Sequence, residues 1–152
     1  MTSQERQKQT IDSLNSLYAA ETKSLLPRLG EMGVFVQWAQ AHEMDLVRRM
    51  TAEEARHVEW LAEAAEKADG ALAPACADVH TANLHYCDLR VLLPMVIANV
   101  QMLVDLYGQA LKERASLTDQ AADTITRIYN RHQVHIEQLR SIQARFAARQ
   151  SA

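Results

Sequence analysis

Six polar residues fall where a helical chain would be expected to place its core. Glu54-Ala-Arg-His57 carries a carboxylate and an imidazole three residues apart, and His132-Gln-Val-His135 carries two imidazoles at the same spacing. On an α-helix that spacing sets both side chains on one face, about one turn apart. Glu21 and Asn99 interrupt apolar stripes in two further stretches. A buried, unpaired carboxylate is strongly destabilising or takes up a proton. Two carboxylates and three imidazoles in one layer therefore need a compensating charge. A divalent cation supplies it, because carboxylate oxygen and imidazole nitrogen are both good ligands for Fe, Mn and Zn. The competing reading is a hydrogen-bonded Glu–His network without metal. Any one of the six residues alone would favour it.

Depth in the fold decides between them. Glu21 and His57 lie 36 positions apart, as do Asn99 and His135. Chains that fold back near residues 39 and 117 bring each pair to one level, roughly 27 Å from its turn. A shift of 78 positions lays Glu21 on Asn99, Glu54 on His132 and His57 on His135, and carries Met50 to Ile128 and Leu61 to Leu139. One layer, with pseudo-twofold symmetry, then collects all six side chains.

The elements that must hold this layer are four helical stretches. The first opens at Thr2 with Glu5 three residues on, a capping-box pattern. Its stripe runs Ile11, Leu14, Leu17/Tyr18, Leu25, Leu29 and Met32, with Pro27 expected to kink it. The second spans 43–67, with Val47, Met50, Leu61 and Ala64 inward, and stops at Asp69-Gly70. The third covers about 85–115, with Leu92, Val96, Leu103, Leu106 and Ala110 inward and a bend at Pro94. The fourth runs from about 119 to 147, with Ile125, Ile128, Leu139 and Ile142 inward. Residues 70 to about 84 contain Pro74 and no clear period, which suits a crossover rather than a tight turn. The expected fold is all-α: a four-helix bundle of two antiparallel hairpins joined by a long crossover, in one domain over 1–152.

Composition agrees. Of 152 residues, 48% are hydrophobic, with 4 Gly and 3 Pro, which disfavours disorder and sheet. A formal charge of −3 gives no basic footprint for nucleic acid. Arg140, Arg145 and Arg149 read as a solvated helix end. Cys76 and Cys87 read as reduced thiols, and the polar first ten residues lack an apolar signal core, so a cytoplasmic location is expected. The longest apolar run, 91–100, is broken by Pro94 and Asn99 and is too short to span a bilayer, so no membrane association is expected. His42, His80 and His85 read as surface histidines; His80, His85 and Cys87 match no standard zinc spacing. Tyr18 and Tyr107 are placed to donate hydrogen bonds into the layer or simply to pack. Trp38 and Trp60 are expected to be partly exposed or at a subunit contact. Glu53, Glu59, Glu63 and Glu66 read as a solvated outer face.

On these residues the chain resembles the bacterioferritin and rubrerythrin branch of the ferritin-like superfamily, over nearly its whole length. That family carries Glu on helix one, Glu-x-x-His on helix two, Glu on helix three and Glu-x-x-His on helix four. Glu21 and Glu54-Ala-Arg-His57 match the first half, and His132-Gln-Val-His135 reads as the second copy. Asn99 stands in place of a terminal Glu, and His132 in place of a bridging one. The resemblance implies Glu21 as terminal ligand, Glu54 as bridge and His57, His132 and His135 as nitrogen ligands, with Asn99 a weak ligand or nearby donor. It implies a transition metal, iron foremost with zinc or manganese as alternatives, in one or two ions. Iron handling or oxidative-stress defence, as a ferroxidase- or peroxidase-like oxidoreductase where the site turns over, is the function implied. Two carboxylates in place of four suit a single divalent ion, or a dinuclear site completed by water and hydroxide. Helix four runs almost to the last residue and leaves no room for a short fifth helix, so a homodimer rather than a cage is expected. The non-metal alternative is a structural or partner-binding bundle with a vestigial polar layer.

Overall fold

The computed structural model describes residues 1–31, 34, 41–75, 84 and 86–151. All regular structure of any length among them is helical: α1 (Ser3–Thr22), α2 (Ala41–Glu54), α3 (His57–Lys67), α4 (Leu89–Lys112) and α5 (Asp119–Gln150), with short 3₁₀ turns at Leu26–Gly30 and Arg114–Ser116. Helix starts follow their caps. The Thr2 hydroxyl accepts from the Glu5 amide at 3.1 Å, and the Glu5 carboxylate accepts from the Thr2 amide at 2.7 Å. Asp88 caps α4 and Thr118 caps α5 through side-chain oxygens. At the end of α3, Asp69 takes φ 55°, the Asp69 amide bonds the Glu66 carbonyl, and the Gly70 amide bonds the Ala65 carbonyl. That is the Schellman pattern.

Three boundaries differ from the expected ones, the third expected helix, α4, starting at Leu89 after its Asp88 cap rather than at about 85. The first helix does not continue through Pro27 with a kink: α1 ends at Thr22, and Pro27 lies in the first turn of a separate 3₁₀ segment that opens at Leu26. Proline lacks the amide that a continuing helix needs and crowds the preceding turn, but its fixed φ suits the first turn of a new one. The second helix is not continuous from 43 to 67. It breaks at Ala55-Arg56, where the Arg56 amide bonds the Glu53 carbonyl three residues back and the regular pattern resumes at Trp60. Met32, the turn near residue 39 and most of the crossover, with Cys76, His80 and His85, lie outside the described residues, as does Trp38.

Contacts fix how the helices run. Gln7 at the start of α1 donates to the Ala68 carbonyl beyond α3, and Glu21 at the other end of α1 lies beside His57 at the start of α3. The two are antiparallel. Tyr107 meets Glu21 and Asn99 meets Leu25, so α4 also runs against α1. Arg140 reaches back to Gln101, which sets α5 against α4.

The apolar core comes in two parts. One gathers Leu14, Leu17, Leu61, Leu103, Ile125 and Ile128. The other gathers Leu29, Val47, Met50, Val96, Leu139 and Ile142. Glu21 on α1, Glu54 and His57 along α2 and α3, and His132 and His135 on α5 sit between the two parts. The expected inward positions in α2, α3 and α5 are all buried, and in α1 and α4 the expected stripes divide into buried and half-buried members. One helix among the described residues, α4, is by length and composition long and apolar enough to cross a bilayer. This corrects the expectation drawn from 91–100, because its 24 residues extend the apolar character beyond Pro94 and Asn99. One face of α4 buries Leu92, Val96, Val100 and Leu103, while Val91, Met95 and Met102 are exposed.

Candidate metal centre

Glu21 occupies the last turn of α1, Glu54 the last position of α2, His57 the first of α3, and His132 and His135 adjacent turns of α5. All five are between 0% and 3% exposed. Glu21, Glu54, His57 and His132 each offer one ligand atom within 4.8 Å of the others, so this buried quartet can hold a metal ion.

His132 lies between the two carboxylates. Its Nε2 is 2.5 Å from Glu21 Oε1 and its Nδ1 is 2.8 Å from Glu54 Oε1. A carboxylate only accepts, so both nitrogens must carry hydrogen for both bonds to form. Burial alone would lower the pKa of His132, but Glu21 and Glu54 outweigh it and raise the imidazole to about 10. Burial pushes Glu54 up, and its contacts with His132, His135 and His57 more than reverse this and hold it well below the ordinary carboxylate range. Glu21 is lowered in the same way, burial being outweighed by His132 and His57. His57 is raised, its burial outweighed by Glu21 and Glu54. Protonated His132 thus serves as an internal cation between two anions.

That compensation is incomplete. Glu21 Oε2, Glu54 Oε2 and both nitrogens of His57 are buried with no hydrogen-bond partner. His57 Nδ1 comes within 3.5 Å of Glu21 Oε1 and 3.4 Å of Glu54 Oε2 without hydrogen-bond geometry. Orphaned buried groups are rare and costly. Here four of them, two anionic oxygens and two nitrogens, belong to three residues of one quartet. The donor set fits a divalent transition ion. Two carboxylates and neutral imidazoles around a 2+ charge are electrically neutral, whereas two carboxylates around one imidazolium leave a net negative charge.

The remaining residues expected in the layer are placed differently. His135 Nδ1 lies 2.8 Å from Glu54 Oε1, and its Nε2 lies 3.1 Å from Glu53 Oε2, so it touches the quartet at Glu54 and reaches outward to Glu53. The Asn99 side-chain oxygen accepts from the Leu25 amide at 3.0 Å and lies 3.4 Å from the Ser24 hydroxyl, holding the segment after α1. The hydroxyl of Tyr107 donates to Glu21 Oε1 at 2.8 Å, and burial beside that carboxylate raises its pKa well above 10. Tyr18 lines a cavity beside the layer.

Two charged residues, Glu53 and Arg149, depart from the expected solvated positions. Glu53 is not simply part of a solvated face: Arg131 grips it through Nε and Nη2, and His135 shares it. The signal was present, since Glu53 and Arg131 are themselves related by the shift of 78. Arg149 is not merely a solvated helix end, because it pairs with Glu43, which is buried in the first turn of α2. His42 is exposed as expected, and Trp60 is half-buried, with the Arg127 guanidinium 3.7 Å from its ring centre. The chain matches no protein-family model, no curated protein and no solved structure.

Proposed function

We propose that this chain is a ferritin-like metal-binding bundle that holds one transition ion, iron foremost, between Glu21, Glu54, His57 and His132, in iron handling or oxidative-stress defence. The orphaned oxygens of Glu21 and Glu54 and the unpartnered imidazole of His57 carry this reading. They are buried polar atoms whose unmet partner, by donor type and charge, is a cation. Glu21 and Glu54 would supply oxygen ligands and His57 and His132 nitrogen ligands, while His135 meets Glu54 Oε1 and Glu53 from the outer side. A bound redox metal would supply one-electron chemistry at this position. The chain's own residues bind the ion, exclude bulk water through the two apolar clusters and offer the Tyr107 hydroxyl beside Glu21. Two carboxylates in place of four favour the divalent state. The alternative, a non-catalytic structural or partner-binding bundle with a vestigial site, draws on the fact that His132 already links both carboxylates without metal.

Titration of chelator-treated protein with Fe(II), Mn(II) and Zn(II) separates the two. The expected result is about one ion per chain and a raised melting temperature, both lost in Glu54→Ala and His57→Ala. Failure of the wild type to take up any of the three metals would establish the vestigial reading. Metal retained by both variants would move the site elsewhere.

A further inference from the structure

We propose that a small cavity beside the layer is the route by which a divalent cation enters, and that Arg28 bars it while Glu31 draws the cation in. This rests on the metal reading above. The cavity, about 270 Å³, is lined by residues from the end of α1, the 3₁₀ turn and the α2–α3 break. Glu21 and Glu54 form its buried wall, and two of the orphaned atoms, their Oε2 oxygens, belong to these same residues. Toward solvent its wall includes Glu31, whose side chain is 74% exposed, and Arg28, 24% exposed. Larger hollows, such as one of about 630 Å³ along the outer face of α1, contain none of the layer residues.

The electrostatics of this cavity are one-sided. Three carboxylates line it, and α1 ends at it with Thr22 in its wall, whereas α2 ends and α3 begins there, so that their terminal partial charges offset. Helix C-termini carry partial negative charge. Among the described residues that line it, Arg28 is the one formal cation. Its Nη2 donates to the Thr22 carbonyl, the last of α1, at 3.0 Å, and its Nη1 lies 3.7 Å from Glu31 Oε2. The guanidinium is thus held in the cavity wall at the end of α1, beside the exposed acid. An incoming 2+ ion is attracted by Glu31 and then repelled by Arg28, which must swing outward for the ion to pass. A gate of this kind slows entry and exit together. A cation that merely weakened the site would slow entry and speed exit.

Stopped-flow mixing of the chelated full chain with Co(II), read by the visible absorption of the bound ion, and release of bound Co(II) to EDTA test this. Arg28→Gln is expected to raise both rates, roughly fivefold at low salt and less at high salt. Arg28→Lys keeps the charge and should return uptake toward the wild-type rate. Glu31→Gln should slow uptake about twofold at low salt. Wild-type rates in Arg28→Gln, or faster uptake with slower release, overturn the gate. If Arg28→Gln does not fold, Glu31→Gln at its exposed position decides alone, and unchanged uptake overturns the inference. Absence of any Co(II) signal in the wild type and the variants overturns the metal reading and this inference with it.

Discussion

Glu54 Oε1 is hydrogen-bonded to two imidazole nitrogens while its Oε2 makes no hydrogen bond, and Glu21 divides its oxygens in the same way, with Tyr107 and His132 on Oε1 and no hydrogen bond on Oε2. The satisfied half of each carboxylate sets the acid–base behaviour of the metal-free protein. His132 is raised to about 10, so its contribution to stability is fully present below its unfolded value of 6.5 and is lost as pH climbs through the folded value. Glu54 and Glu21 are lowered, so their contribution is present above the unfolded value of 4.5 and is lost as pH falls through their folded values. Chelated protein should therefore lose urea resistance between about pH 6.5 and 10, and unfolding at about pH 5.5, 7.5 and 9.5 checks this. A midpoint that climbed steadily across that series would contradict the assignment of His132 as the internal cation. Tyr107→Phe removes one donor from buried Glu21 and should cost about 1–2 kcal/mol by the same assay. A neutral effect would mean that the hydroxyl bond contributes nothing net.

Helix ends in this chain obey local chemistry where the relevant residues are special, and depart from it where they are ordinary. Asp69 holds φ 55° at the end of α3, a conformation that glycine adopts without strain. Asp69→Gly should therefore raise stability by about 0.5 kcal/mol after the added freedom of the unfolded chain is counted. An unchanged or lower melting temperature would show that the aspartate makes up the strain elsewhere. The Thr2 cap and the apolar stripes were legible for the same reason, since side-chain type alone dictates them, whereas the sequence pattern sets the start of α4 too early, at about 85 rather than after the Asp88 cap. The break at Ala55-Arg56 was not legible. Glu53, Glu54, Ala55 and Arg56 are good helix formers, and nothing in their propensities interrupts a turn. Its position, between two buried members of the quartet, matches the tendency of 3₁₀ tightening to mark functional places in helices. Pro27 was legible as a disturbance, but whether it bends a helix or ends one depends on packing around Leu26 and Leu29, which the sequence does not display.

At the scale of the whole molecule, the layer was legible through its spacing, because helical period and turn position together fix depth. Its hydrogen-bond assignment was not, because pairing by depth cannot say that Asn99 spends its oxygen on Leu25 or that Glu53 sides with Arg131. The two apolar clusters on either side of that layer have no buried member in common. Each resembles a separate cooperative unit, joined by side chains whose charges are only partly balanced. Amide hydrogen exchange on the chelated protein should then resolve two opening free energies, one for amides near Leu14, Leu61 and Ile125 and another for those near Val47, Val96 and Ile142. A single value throughout would show that the backbone of α4 and α5 alone couples the halves. With the layer neutralised by a divalent ion the two values should merge, and the denaturant slope of unfolding should rise toward that of the full chain. The polar layer would then act as a clutch: the occupancy of one buried position would determine whether the bundle unfolds as two bodies or as one.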